Sequence, residues 1–433
     1  MPAPHDPAPP TPPLHLFDAY GVELEYMLVD RRSLDVRAEA DELLKAASET
    51  GRPESEIKRP NGTSWSNELV LHVVEVKVTE PVESFTGVSE ALQASVDEAN
   101  AILARKGGGA GMRLMPGGMH PWMDPVTQTR LWPHEYGEVY ANFDRIFDCK
   151  RHGWANLQST HLNLPFCGDD EFGKLHAAVR LILPLLPALC ASSPIMDGRI
   201  TGLMDSRLDV YRTNQAKEPA LTGRVIPENV YTQADYEQTI LGPIAETVRR
   251  LDPSGIMQTE WMNSRGAIAR FDRNAIEIRV MDTQESPAAD IAICAAVSKV
   301  LHWLVEEGPS DTSAQMEVPV EPLAEILGRT ISSADQAVID DPVYLDLLAY
   351  DRSDRCQAWE LWSEILELAE VDLGDALFEP LEVILDQGPL ARRITRALGD
   401  PGPNTAPERE TLAAVYRSLC DCLDQGVQYR GVG

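Results

Sequence analysis

The sequence predicts an α+β fold, and three observations carry that expectation. Short stretches with strand alternation are separated by stretches with helical periodicity. Carboxylates recur on the strand faces, at Glu23, Glu25, Glu75 and Glu277. Beyond about residue 308 the strand signal stops and only helical stretches follow. The expected layout is a lead-in over 1–16, a main domain over 17–307 and a C-terminal helical region over 308–433.

The lead-in is rich in proline, lacks the basic-then-apolar order of a signal peptide, and is expected to be disordered. Residues 19–30 alternate as a strand, which puts Glu23 and Glu25 on one face and Val22 and Leu24 on the other. Residues 38–50 read as a short helix, and the valine-rich stretch 67–78 reads as a strand region. Helical periodicity runs over 82–106 and stops at a run of three glycines, 107–109. Residues 112–115 read as a short strand before the turn-rich 116–121, and 157–164 as another strand. The apolar stretch 172–191 reads as a helix kinked by Pro184 and Pro187. An alternating strand over 275–281 leads into a helix over 288–307. Later helices are expected over 321–327, 343–350, 358–370 and 408–422, with no strand among them.

The net charge is −30, which repels phosphate backbones and anionic membranes and argues against nucleic acid as a partner. No window approaches 18 consecutive apolar residues, so no membrane span is expected. The seven cysteines are scattered and odd in number, which reads as reduced thiols of a cytoplasmic protein. Cys420 and Cys422 have the wrong spacing for a zinc knuckle.

Glu23 and Glu25, two apart on a strand, lie about 7 Å from each other on one side of a sheet. Such a pair is most often two solvated side chains. A divalent cation between them is the chemical alternative, and oxygen-rich sites suit Mg²⁺. Glu68 and Glu75 flank an apolar run, 69–74, broken only by His72. In one straight strand they would face opposite ways, so a shared site requires a bulge or bend. Ser159, His161 and Asn163 share a strand face, as do Glu277 and Arg279. Arg199 and Arg207 read as lying in a glycine-containing loop that could clamp an anion. The glycine-rich 107–111 is no phosphate loop, because it lacks the Gly-Lys-Ser/Thr ending and follows a helix. Serine-hydrolase elbow, zinc-protease and dinucleotide-binding motifs are absent.

Four stretches together resemble the type 2 glutamate–cysteine ligases, also called carboxylate-amine ligases: YGVELEYMLVD (20–30), NELVLHVVEVKV (67–78), SPIMDGRITGLMDSR (193–207) and AIEIRVMDTQESPAADIAI (275–293). THLNL (160–164) and GGMHPW (117–122) add to the likeness, which covers about 17–305. The resemblance implies a glutamine-synthetase-like fold, a curved antiparallel sheet with helices on its outer face and ATP, metal ions and an acid substrate on its concave face. It implies Mg²⁺, with Mn²⁺ as the alternative, held by Glu23, Glu25, Glu68, Glu75, His161 and Glu277. It implies Arg279 at the phosphates, Glu75 beside it on the nucleotide side, and Arg207 as an anchor for substrate or phosphate.

The activity implied is ATP-dependent coupling of a small carboxylate, the γ-carboxyl of glutamate, to cysteine or another amine. The C-terminal region lacks the family's basic and aromatic pattern, which leaves the amine open. So are a different carboxylate, and an ATP-binding protein of weak catalysis. The expected partners are small molecules, and homo-oligomerisation is compatible with the sequence.

Overall fold

The structure is a computed structural model that describes residues 13–106 and 111–431. Most of the expected disordered lead-in, and residues 107–110 of the glycine-rich stretch, lie outside the described residues.

Twelve strands are described: β1 Gly21–Asp30, β2 Glu56–Lys58, β3 Thr63–Asn67, β4 Val73–Val78, β5 Met112–Met115, β6 Ser159–Pro165, β7 Ile195–Met196, β8 Arg199–Ile200, β9 Ala267–Arg270, β10 Ala275–Asp282, β11 Val338–Ile339 and β12 Cys356–Gln357. One eight-stranded sheet runs in the order β2-β3-β4-β1-β6-β10-β9, with β5 also paired to β1. Its pairings are antiparallel throughout.

The valine-rich stretch 67–78 corrects the single-strand expectation. Asn67 ends β3, Val73 begins β4, and the two strands pair antiparallel with Asn67 opposite Val74. The required bend is therefore a full reversal. It carries Glu68 back over β4, towards Glu75.

Strand alternation builds the two faces. Val22, Leu24, Tyr26 and Leu28 on β1 are fully buried, as are Leu162 and Leu164 on β6 and Ile276 on β10. Each such side chain contributes about 1.5–3 kcal/mol of burial. Helices cover this apolar face. Val88–Leu103 lies against β4 and β5, and Pro187–Cys190 against β10. Pro287–Val305 lies against both Val88–Leu103 and Gly168–Ile182. Gly168–Ile182 gives way to a 3₁₀ turn at Leu183–Leu185, the kink expected from Pro184 and Pro187. Pro287–Val305 is long and apolar enough to cross a membrane, but 72% of its apolar window is buried inside the protein, as in a core helix.

The C-terminal part contains the expected helices, at Val320–Ser333, Pro342–Leu347, Ala358–Leu368 and Arg409–Gln425. It also contains Asp375–Gln387 and Leu390–Ala397, which the sequence reading passed over. The two-residue ribbon of β11 and β12 departs from the expectation of no strand there. These helices share one apolar core with the sheet. Arg113 on β5 donates to Asp421 (2.9 Å) and Asp424 (2.7 Å) on Arg409–Gln425. Glu285 forms a fully buried ion pair with Arg393 and accepts the Tyr429 N–H at 3.1 Å. All seven cysteines are free thiols.

Candidate active site

The face of the sheet opposite the helices forms a cavity of about 1010 Å³. Antiparallel register sets polar side chains across it in rows. One row runs Ser66, Glu75, Glu25. The next runs Lys77, Glu23, His161. A third pairs Asn163 with Glu277. Glu23, Glu25, Glu68, Glu75, His161, Arg207, Glu277 and Arg279 all line this one cavity.

Two groups of side chains have ligand atoms within 4.8 Å of one another, a spacing that fits a cation. Glu25, Glu68 and Glu75 form one; Glu23, Glu75 and His161 form the other, so Glu75 is common to both. Glu277 belongs to neither. Its Oε1 accepts from Arg279 Nε at 3.0 Å, and that cation occupies it.

The electrostatics separate the carboxylates. Burial, with Glu68 and Glu75 adding like charge, pushes Glu25 up to about 7, although its Oε2 accepts from Ser159 N (2.6 Å) and Oγ (3.0 Å). Burial acts the same way on Glu75, but Lys77 overcomes it. Lys77 Nζ (2.8 Å) and Ser66 Oγ (2.7 Å) both donate to Glu75 Oε1 and hold it well below the usual carboxylate range. Glu277 is likewise buried, yet Arg279 and His161 draw it down to about 2.

Burial disfavours the charged form of His161. The hydrogen bond between its Nδ1 and Glu23 Oε2 at 3.0 Å, with the charges of Glu277 and Glu25, outweighs burial and raises it to about 9. His72, facing the Ala155 carbonyl oxygen at 2.6 Å, shows the opposite case; burial lowers it to about 4. His161 is therefore a cation in this carboxylate field, and His72 a neutral core residue.

The two arginines of the glycine-containing stretch part company. Arg199 is exposed on β8 and donates to the Asn404 carbonyl oxygen at 3.2 Å, away from the cavity. Arg207 belongs to the helix Ser206–Thr213 instead of a loop, because Asp205 caps that helix by accepting from Leu208 N at 2.7 Å. Its side chain is buried and paired with Asp282.

Sequence reasoning passed over several residues that line the cavity. Lys77 lies two residues beyond Glu75, so strand period places both on one face. Tyr211, one turn beyond Arg207, shares its helix face at i,i+4. Both spacings were readable. Trp154 and Trp261 come from the short helical turns His152–Ala155 and Glu260–Met262, which carry no such signal.

A family model for glutamate-cysteine ligase family 2 matches residues 19–418. An uncharacterized protein of Archaeoglobus fulgidus is 30% identical over 409 residues, 94% of this chain and 99% of that protein. A glutamate–cysteine ligase of Halobacterium salinarum is 26% identical over 293 residues, 66% of this chain and 69% of the other. The crystal structure of a glutamate–cysteine ligase from Francisella tularensis in complex with AMP superposes with a TM-score of 0.54 at 12% identity, covering 94% of this chain and 88% of that one. That likeness is one of fold, and it matches the antiparallel sheet with helices on one face. The match from 19 to 418 takes in every strand and cavity residue described above, and the chain belongs to glutamate-cysteine ligase family 2.

Proposed function

We propose that the chain is an ATP-dependent carboxylate-amine ligase that activates the γ-carboxyl of glutamate and couples it to cysteine or another amine. The observation that carries this reading is the pairing of two cation-sized groups, three carboxylates in one and two carboxylates with His161 in the other, with Arg207 and Arg279 in one cavity. Family membership and the AMP-bound fold relative support nucleotide use.

The donor set fits Mg²⁺, with Mn²⁺ as the alternative. Glu25, Glu68 and Glu75 offer only hard oxygens, and Glu23 and Glu75 supply two more sides with His161. Bound there, the metal would neutralise charge on a phosphoryl group. Arg279, fixed by Glu277, directs a cation to the same face and offsets the protein's strong negative charge locally. In the reaction, the substrate carboxylate displaces ADP from the γ-phosphorus to form an acyl phosphate, and the amine then displaces phosphate with loss of a proton. Exclusion of water from the cavity during turnover would protect the acyl phosphate from hydrolysis.

ADP release is expected to require Mg²⁺, glutamate and an amine together. A protein that forms no ADP with glutamate across a panel of amines refutes the glutamate assignment. Hydroxylamine trapping then distinguishes another carboxylate from an ATP binder that does not turn over.

The acidities give a second expectation. A proton must leave Glu25 before a cation is held, so nucleotide-free Mg²⁺ affinity rises about tenfold per pH unit up to about 7. Ligation by His161 extends the rise towards 9. Calorimetric titrations between pH 6 and 8 measure this directly; an affinity independent of pH removes Glu25 from the ligands.

A further inference from the structure

Asp282 is not among the groups given a role above, yet the fold goes to some length to place it. Ile278 pairs with Leu162 and Met281 with Thr160, so β10 carries one residue more than β6 between them. This bulge reverses the alternation. Asp282 thereby stands opposite Ser159, on the cavity side, where a regular strand would have put Met281.

The carboxylate is fully buried beneath the cavity floor. Its Oδ2 accepts from Ser192 N (2.8 Å) and Ser193 Oγ (2.7 Å), and its Oδ1 from Arg207 Nε. Ser193 Oγ also accepts the Arg207 backbone N–H at 3.0 Å. Gly118 closes the socket. Its N–H donates to Ser192 Oγ at 2.7 Å, and a Cβ built there would fall within 2.6 Å of both Asp282 carboxylate oxygens. The GGMHPW stretch, which the site itself does not use, thus supplies the one wall that must have no side chain. With Nε held, Arg207 keeps its outer nitrogens for the cavity it lines; Nη2 makes only a 3.5 Å contact to the Arg279 carbonyl oxygen.

We propose that Asp282 is a positioning residue, which fixes the Arg207 guanidinium so that its terminal N–H groups face an anionic oxygen of the substrate or phosphate. The inference rests on Arg207 being an anion contact in the proposed ligase. An arginine side chain has many rotamers, and a buried carboxylate gripping Nε selects one of them.

Asp282→Asn is nearly isosteric and still accepts from Ser192 N. It is expected to lower kcat/KM for the acid substrate by about 10- to 100-fold, the range for partners that orient a functional group. The decisive measurement repeats the substitution in an Arg207→Ala background. If Asp282 acts through Arg207, the further loss there is under about twofold; the same loss in both backgrounds makes Asp282 a purely structural residue and overturns the proposal. Should Asp282→Asn fail to fold, Ser193→Ala removes the hydroxyl that bonds both Asp282 Oδ2 and the Arg207 backbone N–H, and is expected to show the same dependence on Arg207. Tripolyphosphate binding, followed by calorimetry, needs no turnover. A wild type that releases no ADP defeats the ligase reading alone. Equal weakening of tripolyphosphate binding by Asp282→Asn and Arg207→Ala still upholds the positioning role, and unchanged binding in Asp282→Asn overturns it.

Discussion

Glu25→Gln is expected to cut ADP release by about 10³-fold or more and, at the same time, to stabilise the metal-free protein. The first effect follows from the loss of a ligand, because Lewis-acid charge neutralisation contributes several kcal/mol to such a transition state. The second follows from electrostatics. Glu25 titrates near 7 in the folded chain, against 4.5 for an unperturbed glutamate. Below pH 4.5 the carboxyl is protonated in both states and the substitution is nearly neutral. Between pH 4.5 and 7 the unfolded chain ionises Glu25 while the folded chain keeps its proton, so stability falls, and above 7 the carboxylate beside Glu68 and Glu75 carries the full cost of about 3 kcal/mol. Glutamine carries no such cost. Urea denaturation in chelator should therefore find the variant more stable than wild type at pH 8 and about equal at pH 4.5. Mg²⁺ should restore the wild type alone. Equal stability at both pH values contradicts the cost of ionising Glu25, and wild-type turnover places Glu25 outside the metal site.

Glu285→Ala is expected to destabilise the fold by about 3–5 kcal/mol. Glu285 and Arg393 are both buried, and removing one partner of such a pair leaves an uncompensated charge. Tyr429 adds to the loss, since its N–H donates to Glu285 and its carbonyl oxygen accepts from Arg393. The exchange of both residues for apolar side chains of similar volume should cost far less. Denaturant midpoints of the single and double variants measure the difference. A loss below 1 kcal/mol for Glu285→Ala contradicts an ionised pair in the interior.

The parts of this site legible in the sequence are those that obey simple periods. Glu23 and Glu25, the Ser159–His161–Asn163 face and the Glu277–Arg279 face followed from strand alternation alone. The β3–β4 reversal did not, because residues 69–72, LVLH, contain none of the Gly, Pro, Asn or Asp that mark turns, and a short apolar run cannot be divided by periodicity. The bulge in β10 is a single extra residue with no compositional trace. Asp282 consequently read as lying beyond the strand, when it is the strand's last residue, buried beneath the cavity and paired with Arg207. Arg207 was assigned to a loop because glycines precede it, although Asp205 two residues earlier is a strong helix cap. Asp375–Gln387 was masked by Pro380, a helix breaker tolerated in its interior.

The clasp between sheet and C-terminal helices has a consequence for biosynthesis. Gln93 bonds to Leu423 across 330 residues of chain, and Asn100 to Asp424 across 324. At ribosomal speeds of about 5–20 residues per second, those partners emerge on the order of 15–65 s after the helix Val88–Leu103 that they hold. Arg113 waits across 308 residues of chain for Asp421, and Glu285 across 108 for Arg393, each without that counter-charge to fold against. The strands that carry the site leave the ribosome early, but the domain closes only once residues 393–429 have followed. Nascent chains stalled short of residue 393 are the population that a holding chaperone would protect.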